Sequence, residues 1–295
     1  MRRRVDWLRG WSLTASALVV GSSLVVLGLL VAETLPVWRH SGVGYLLGTS
    51  WFYRAERFGI LPMLYGTFAV SAVALTLAAP LALGAALCLA EVLPARLRLG
   101  AKVAFELLAA VPSVVYGLLG VLLLRNWIYR LAAPFEPLSG DTLATAGVLL
   151  AIMVLPTITT LADDALRGVP GSRRQAARAL GLTRAEAAVG VVLPQALPGI
   201  AAAILLGLGR ALGETIAVLL VVGRQDNQWP ESLLSLQPLF AAGQTLTSKL
   251  GGSETHLAYG DPLHWGAMLG LAVLLLAVVL TLTVASRGLL ERRRA

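Results

Sequence analysis

Six apolar runs, each about twenty residues long, recur along the chain at 13–32, 65–89, 103–124, 143–161, 200–222 and 265–285. A run of that length is what an α-helix needs to cross a hydrocarbon layer about 30 Å thick. In lipid every backbone N–H and C=O must find its partner within the protein, so only helices and closed barrels span. The runs show no strand alternation, and helices are the expectation. Composition agrees: 57% of residues are hydrophobic and 14% charged, with a mean hydropathy of +0.77, where a soluble domain carries about a quarter charged residues. The expected fold class is an all-α integral membrane protein with six transmembrane helices.

The basic residues set the expected orientation, because Lys and Arg gather in cytoplasmic connections. Sixteen of the 24 fall on one side: Arg2, Arg3, Arg4 and Arg9; Arg96, Arg98 and Lys102; Arg167, Arg173, Arg174, Arg178 and Arg184; Arg287, Arg292, Arg293 and Arg294. Seven fall on the other side, and Arg210 lies within a span. The expectation is therefore a membrane protein with both termini and the 163–199 loop on the cytoplasmic side. The chain divides into a basic tail at 1–12, a first span with its outward loop at 13–62, a transmembrane domain at 63–286 and a second basic tail at 287–295. The formal charge of +8 follows from this topology. No basic stripe with interleaved aromatics points to nucleic acid.

Several weaker signals have plain readings. The basic N-terminus resembles a signal peptide, but its apolar stretch exceeds the usual 7–15 residues and no A-x-A site follows. An uncleaved first span is expected. The seven tryptophans fall near span ends, where an interfacial aromatic belt explains them. Cys88, the single cysteine, reads as a small buried apolar residue. His40, His256 and His264 show no metal-ligand spacing and read as surface polarity on outward loops. No metal or cofactor is expected. The phosphate-cradling G-x-x-x-x-G-K-[ST] loop is absent, as are the G-x-S-x-G elbow and the H-E-x-x-H pair, so the chain should hydrolyse nothing itself.

The inward loop at 172–194 carries more information. Pro170-Gly171 opens it and Pro194 closes it. Ser172 with Gln175, and Thr183 with Glu186, both have capping-box spacing. Gly181 stands between them, where a helix C-terminus favours left-handed geometry. The expectation is helix, turn, helix. Gln175-Ala176-Ala177 is followed three residues later by Gly181, then after nine residues by Val191, Val192, Leu193 and Pro194. That spacing resembles the EAA loop of ABC importer permeases, with Gln175 for Glu and Val191 for Ile. The resemblance implies a type I ABC importer permease (MetI-like) fold. It also implies that Gln175, Ala176, Ala177, Gly181, Leu193 and Pro194 belong to the loop on which a separate pair of ATP-binding subunits docks.

The fifth run contains G-L-G-R-A-L-G-E-T at 207–215. An arginine at membrane depth costs about 2.5–3.5 kcal/mol on insertion scales and usually faces an interior or a watery cavity. Arg210 and Glu214 are four apart, so on one helix they would share a face and could pair. Gly209, Gly213 and Ala217 would form a neighbouring small-residue stripe for helix packing. Two readings stand open on physics alone. One is a structural ion pair. The other is an anion contact, because the guanidinium fork suits phosphate and a carboxylate can accept from a protonated phosphate oxygen.

This nonapeptide is similar to the permeases of the high-affinity phosphate importer, the Pst system. So are Phe58–Pro62 with Tyr65-Gly66-Thr67, Glu106-Leu107-Leu108 with Pro112–Gly117, and Leu155-Pro156-Thr157. The likeness leans to the PstC-type subunit. It implies a permease for inorganic phosphate in which Arg210 and Glu214 serve the substrate pathway. Its implied partners are the ATP-binding subunits, a second, PstA-type permease chain, a periplasmic or extracellular phosphate-binding protein, and membrane lipid. The competing readings are a permease for another oxyanion or small solute, and, in a different class, a secondary transporter, which leaves the 172–194 spacing unexplained. The outward stretches 33–62 and 223–264 are loops, the second with a short apolar piece at 233–240 expected as an interfacial helix.

Overall fold

A computed structural model describes the backbone of residues 2–232 and 235–291, with side chains placed for 10–232 and 235–284. Six of its helical stretches are long and apolar enough to cross a membrane: Gly10–Ser41, Leu61–Val92, Ser113–Leu131, Leu143–Arg167, Arg184–Gly213 and Pro262–Val284. The only described strands are β1 (Trp51–Phe52) and β2 (Arg57–Phe58), a two-residue antiparallel pair in the 33–62 loop. The expected all-α class stands with this small exception. The basic residues of the two tails lie outside the described side chains.

The helices run in chain order as α1 (Arg2–Glu33), α2 (Leu35–Ser41), α3 (Gly44–Leu47), α4 (Leu61–Leu87), α5 (Ala95–Ala110), α6 (Ser113–Leu119), α7 (Arg125–Leu131), α8 (Leu143–Arg167), α9 (Gly171–Ala179), α10 (Arg184–Ala187), α11 (Leu193–Gly213), α12 (Ile216–Val221), α13 (Leu246–Leu250), α14 (Glu254–Ala258) and α15 (Pro262–Glu291). A turn of wider, i→i+5 pitch continues α4 at Cys88–Val92, joins α6 to α7 at Gly120–Leu124, and joins α10 to α11 at Ala188–Val192. Such π-turns absorb one extra residue inside a helix. The last of them lies just before Pro194, which has no N–H to give the ladder.

The centre of the protein is α8, whose apolar window is 72% buried, against 0% for α1. Its partners approach closely because small residues face it. Ala74, Ala78, Ala82 and Ala86 of α4 repeat every fourth residue and are fully buried. At Gly147 of α8 a Cβ would lie 2.6 Å from Val73. At Gly207 of α11 it would lie 2.5 Å from Ile158, and at Gly199 it would lie 2.6 Å from Ala165. Without a hydrophobic force between helices in lipid, this closeness is what holds them. A second apolar cluster on the side of the 33–62 and 223–264 loops joins Val37, Tyr45, Trp51, Phe58, Met63 and Leu246 to Met268 and Leu271.

Two expected spans are redrawn. Residues 103–110 belong to α5, a helix separate from the third span, which starts at Ser113. The cause is Pro112: the residue before a proline is pushed out of helical geometry, and Val111 is extended at φ −62°, ψ 130°. The fifth span likewise ends at Gly213, with Glu214 extended at φ −72°, ψ 122° before α12 restarts the helix. The expected interfacial helix at 233–240 is reduced to a short 3₁₀ turn at Gln237–Phe240, while Leu233 and Leu234 lie outside the described residues.

Candidate translocation face and coupling loop

The break after Gly213 changes the relation between Arg210 and Glu214. They do not share one helix face, and no ion pair joins them among the described residues. Arg210 is exposed on α11 and donates from Nη2 to the carbonyl oxygen of Ala109, 3.3 Å away, in the last turn of α5. That carbonyl is one of the four a helix end leaves without an internal partner. Glu214 turns the other way. Its Oε1 accepts from the backbone N–H of Ala217 at 3.2 Å and so caps α12. Its own carbonyl accepts from Thr247 Oγ1 at 2.8 Å.

The small-residue stripe is divided too. Positions 209 and 213 have nothing of this chain within 4 Å of where a Cβ would lie. Gly209 and Gly213 therefore do not pack another helix of this chain. Ala217 lies beyond the break, fully buried, and packs against α6: a Cβ at Gly117 would lie 3.1 Å from its Cα. The broken ends of α5–α6 and α11–α12 are thus brought side by side. Around these breaks Leu206, Arg210 and Gly213 of α11, Leu107 of α5, and Val114 and Leu118 of α6 are all exposed. A guanidinium on an apolar face is stable at membrane depth only beside water or another polar surface.

The 172–194 loop has the expected turn. Gly181 sits at φ +88°, in the left-handed region, and donates to the carbonyl of Arg178 at 3.0 Å while Leu182 N donates to Ala177 at 3.2 Å. Thr183 and Glu186 form the expected reciprocal capping box. The other expected box is absent. α9 starts at Gly171 after Pro170, with no side-chain cap from Ser172 to the helix. Leu193 and Pro194 do not close the segment either, because helix continues through them from Arg184 to Gly213. Gln175, Ala176, Gly181 and Pro194 are exposed, Leu193 is half-buried and Ala177 is buried against the body. Leu180 beside them is 84% exposed, an apolar tip with nothing of its own chain to cover it.

Three arrangements escaped the sequence reading. Arg174 of α9 meets Glu91 at 3.0 Å and also reaches carbonyls at the end of α8. Fully buried Asp163 faces Lys102 and Arg167, each at 3.8 Å, and neither of its oxygens receives a hydrogen bond. In the 223–264 loop, buried Lys249 donates to Asp226 and Glu254, both at 2.5 Å. Glu254 also accepts from Trp51 Nε1 at 2.6 Å and sits 2.9 Å from His264 Nε2. Burial raises the Asp226 carboxyl above its ordinary range, against the pull of Lys249. Burial pushes Glu254 up as well, but the hydrogen bonds from Lys249, Trp51 and His264 outweigh it and hold the group low.

That cluster corrects two readings. Trp51 belongs to the buried core and not to the interfacial belt, and His264, 2% exposed and stacked between Tyr53 and Phe58, is no surface group. Cys88 is exposed, not buried. Asp163 and Arg167 are four apart, a spacing the sequence could have offered, but Glu91 and Arg174, 83 positions apart, leave no periodic signal.

Comparison with known proteins follows the same lines. The family described as binding-protein-dependent transport system inner membrane component matches residues 78–295. The phosphate transport system permease protein PstC 1 of Mycobacterium tuberculosis is 36% identical over 253 residues, covering 80% of this chain and 73% of the relative. PstC of Mesorhizobium japonicum is 33% identical over 294 residues, covering 92% and 87%. The probable ABC transporter permease protein YqgH of Bacillus subtilis is 32% identical over 305 residues, covering 99% and 93%. Among solved structures, an inward-facing MetNI methionine ABC transporter chain aligns with a TM-score of 0.55 at 18% identity, covering 79% of this chain and 94% of that one. A bacterial ABC transporter importing alginate aligns with a TM-score of 0.56 at 15% identity, covering 95% and 99%. The fold is that of the MetI-like ABC importer permeases.

Proposed function

The chain belongs to the inner membrane component family of binding-protein-dependent transport systems, and we propose that it is the PstC-type permease subunit of an ATP-driven importer of inorganic phosphate. It lies in the bacterial cytoplasmic membrane with both termini and the 163–199 loop inside. Six spans return the chain to the side it started from, and the side holding sixteen basic residues is the cytoplasmic one. ATP hydrolysis belongs to separate subunits, which seat on the exposed tip around Gly181 and Leu180. A binding protein delivers the anion to the loops at 33–62 and 223–264. The transmembrane domain at 63–286 carries the pathway, and the basic tails at 1–12 and 287–295 stay in the cytoplasm.

The observation that carries this reading is the open face at the paired helix breaks. Arg210 stands there with its charge resting on one backbone carbonyl and with guanidinium donors free for an anion's oxygens. Glu214, whose backbone forms the break, contributes to the pathway by starting α12 with its carboxylate. One chain leaves this face uncovered. A second permease chain, PstA-type, closes it, with Gly209 and Gly213 admitting the neighbour's helix.

The test is reconstitution. The chain is co-expressed with its neighbours, purified, and placed in vesicles with ATP inside and phosphate-loaded binding protein outside. The expected result is ATP-dependent phosphate uptake that persists when ion gradients are dissipated. Uptake driven by a gradient without ATP would instead make the chain a secondary transporter. ATP-dependent uptake of another oxyanion in place of phosphate would leave the permease reading and remove the substrate.

A further inference from the structure

We infer that Arg174 is the coupling residue that fastens the inward loop to the two central spans, so that α9, α4 and α8 move as one body. The inference deepens the permease reading and rests on it. Arg174 directs its guanidinium inward from α9 and makes four hydrogen bonds. Nε and Nη2 donate to Glu91 Oε1 at 3.2 Å and 3.0 Å. Nη1 donates to the carbonyl of Val169 at 2.6 Å and Nη2 to that of Leu166 at 2.8 Å. The pair is enclosed, with the Arg174 side chain 20% and the Glu91 side chain 14% exposed.

Each contact has a physical reason to be rigid. Leu166 offers a carbonyl in the last turn of α8, where the helix dipole favours a cation, and Val169 offers one just beyond it. Glu91 sits in the wide turn that ends the second span, so one side chain bridges the inner ends of two spans. Those spans are already locked together above it by the alanine repeat of α4 and by Gly147 against Val73. A displacement of α9 by a docked ATPase is therefore passed to both spans with no slack. The planar guanidinium reaches the carboxylate and both carbonyls with separate nitrogens in a fixed fork, whereas a lysine must gather all three acceptors around one nitrogen. The adjacent Arg173 is a weaker tie, because it meets the neutral Gln195 of α11 on an exposed surface.

The experiment measures uptake per ATP hydrolysed in reconstituted vesicles for Arg174→Gln, Arg174→Lys and Glu91→Gln. Coupling between sites typically corresponds to about 5- to 150-fold, and Arg174→Gln and Arg174→Lys are expected to lower the ratio by about tenfold or more while ATPase subunits still co-purify. Glu91→Gln keeps a neutral acceptor and both carbonyl bonds, so its loss is smaller than that of Arg174→Lys. A merely structural contact would lower the amount of complex and leave the ratio unchanged, and an unchanged ratio for Arg174→Gln overturns the inference. If that variant does not assemble, Glu91→Gln decides, and a wild-type ratio there overturns it equally. Absence of phosphate uptake in the wild type would fault the substrate assignment alone. The coupling claim is then read from whether ATP hydrolysis rises with loaded binding protein in the wild type and fails to rise in Arg174→Gln.

Discussion

Arg210 and Ala109 lie 101 positions apart, yet the guanidinium of one donates to the carbonyl of the other across 3.3 Å. The arginine is thus supported by the negative end of α5 and not by the glutamate four residues along. A helix end carries only about half a charge, so the cation is steadied without being neutralised and keeps its attraction for an anion.

For Arg210→Leu the expected outcome is loss of phosphate uptake with the complex assembled. A charge-assisted hydrogen bond is worth about 1.5–3 kcal/mol, so removing even one or two lowers uptake about 10- to 100-fold or more. The double change Arg210→Leu with Glu214→Leu should also fail to transport. Near-normal uptake in the double variant would return Arg210 to a helix-pinning role. Glu214→Gln keeps the acceptor that caps α12, so a defect there isolates the charge from the fold.

Replacing Gly181 puts a side chain at φ +88°, where an L-residue costs about 1–2 kcal/mol. Nothing of the chain stands within 4 Å of the new Cβ, so the strain is local to the turn. Gly181→Leu is expected to insert normally and to weaken ATPase retention and uptake together. Wild-type retention and uptake would remove the turn from the docking surface.

A cysteine at Ser172 tests orientation. In a Cys88→Ser background it should react only with reagent admitted to the cytoplasmic side, because Ser172 is exposed and the basic residues around it mark that side as cytoplasmic. Reaction from outside alone would invert the topology and take the docking site with it.

Lys249 stabilises two carboxylates from a buried position. Breaking a buried pair by removing one partner typically costs about 3–5 kcal/mol, so Lys249→Met should unfold at a clearly lower temperature in detergent. The pH dependence has a definite sign. Glu254 is held below its ordinary range, so its contribution is present above that range and is lost as pH falls through its depressed value. Asp226 is raised, so acid relieves the cost of its burial before Glu254 protonates. Glu254→Gln should therefore flatten the acid limb of the unfolding curve, and an unaltered limb would place acid sensitivity elsewhere.

Much of the local structure of the 172–194 loop was legible because local rules govern it. Gly181 was readable as a turn, and Thr183 with Glu186 as a cap, since each needs only residues three or four positions away. Ser172 with Gln175 has the same spacing and does not cap, because Pro170 has already set the start of α9. The helix break at Glu214 has no proline to announce it. It depends on Thr247, which holds the Glu214 carbonyl from a distant loop.

The sequence alone determined the class of protein: apolar length requires helices in lipid, six runs require an even crossing, and the residues at 181–186 set the turn of the 172–194 loop. The tertiary structure decided which charges meet. Arg210 is turned to Ala109, Arg174 to Glu91, and Lys249 to Asp226 and Glu254. A charge in a low-dielectric interior must find a partner wherever the packing brings one, and packing follows the small residues of α4, α8 and α11 in three dimensions, which no period along the chain records.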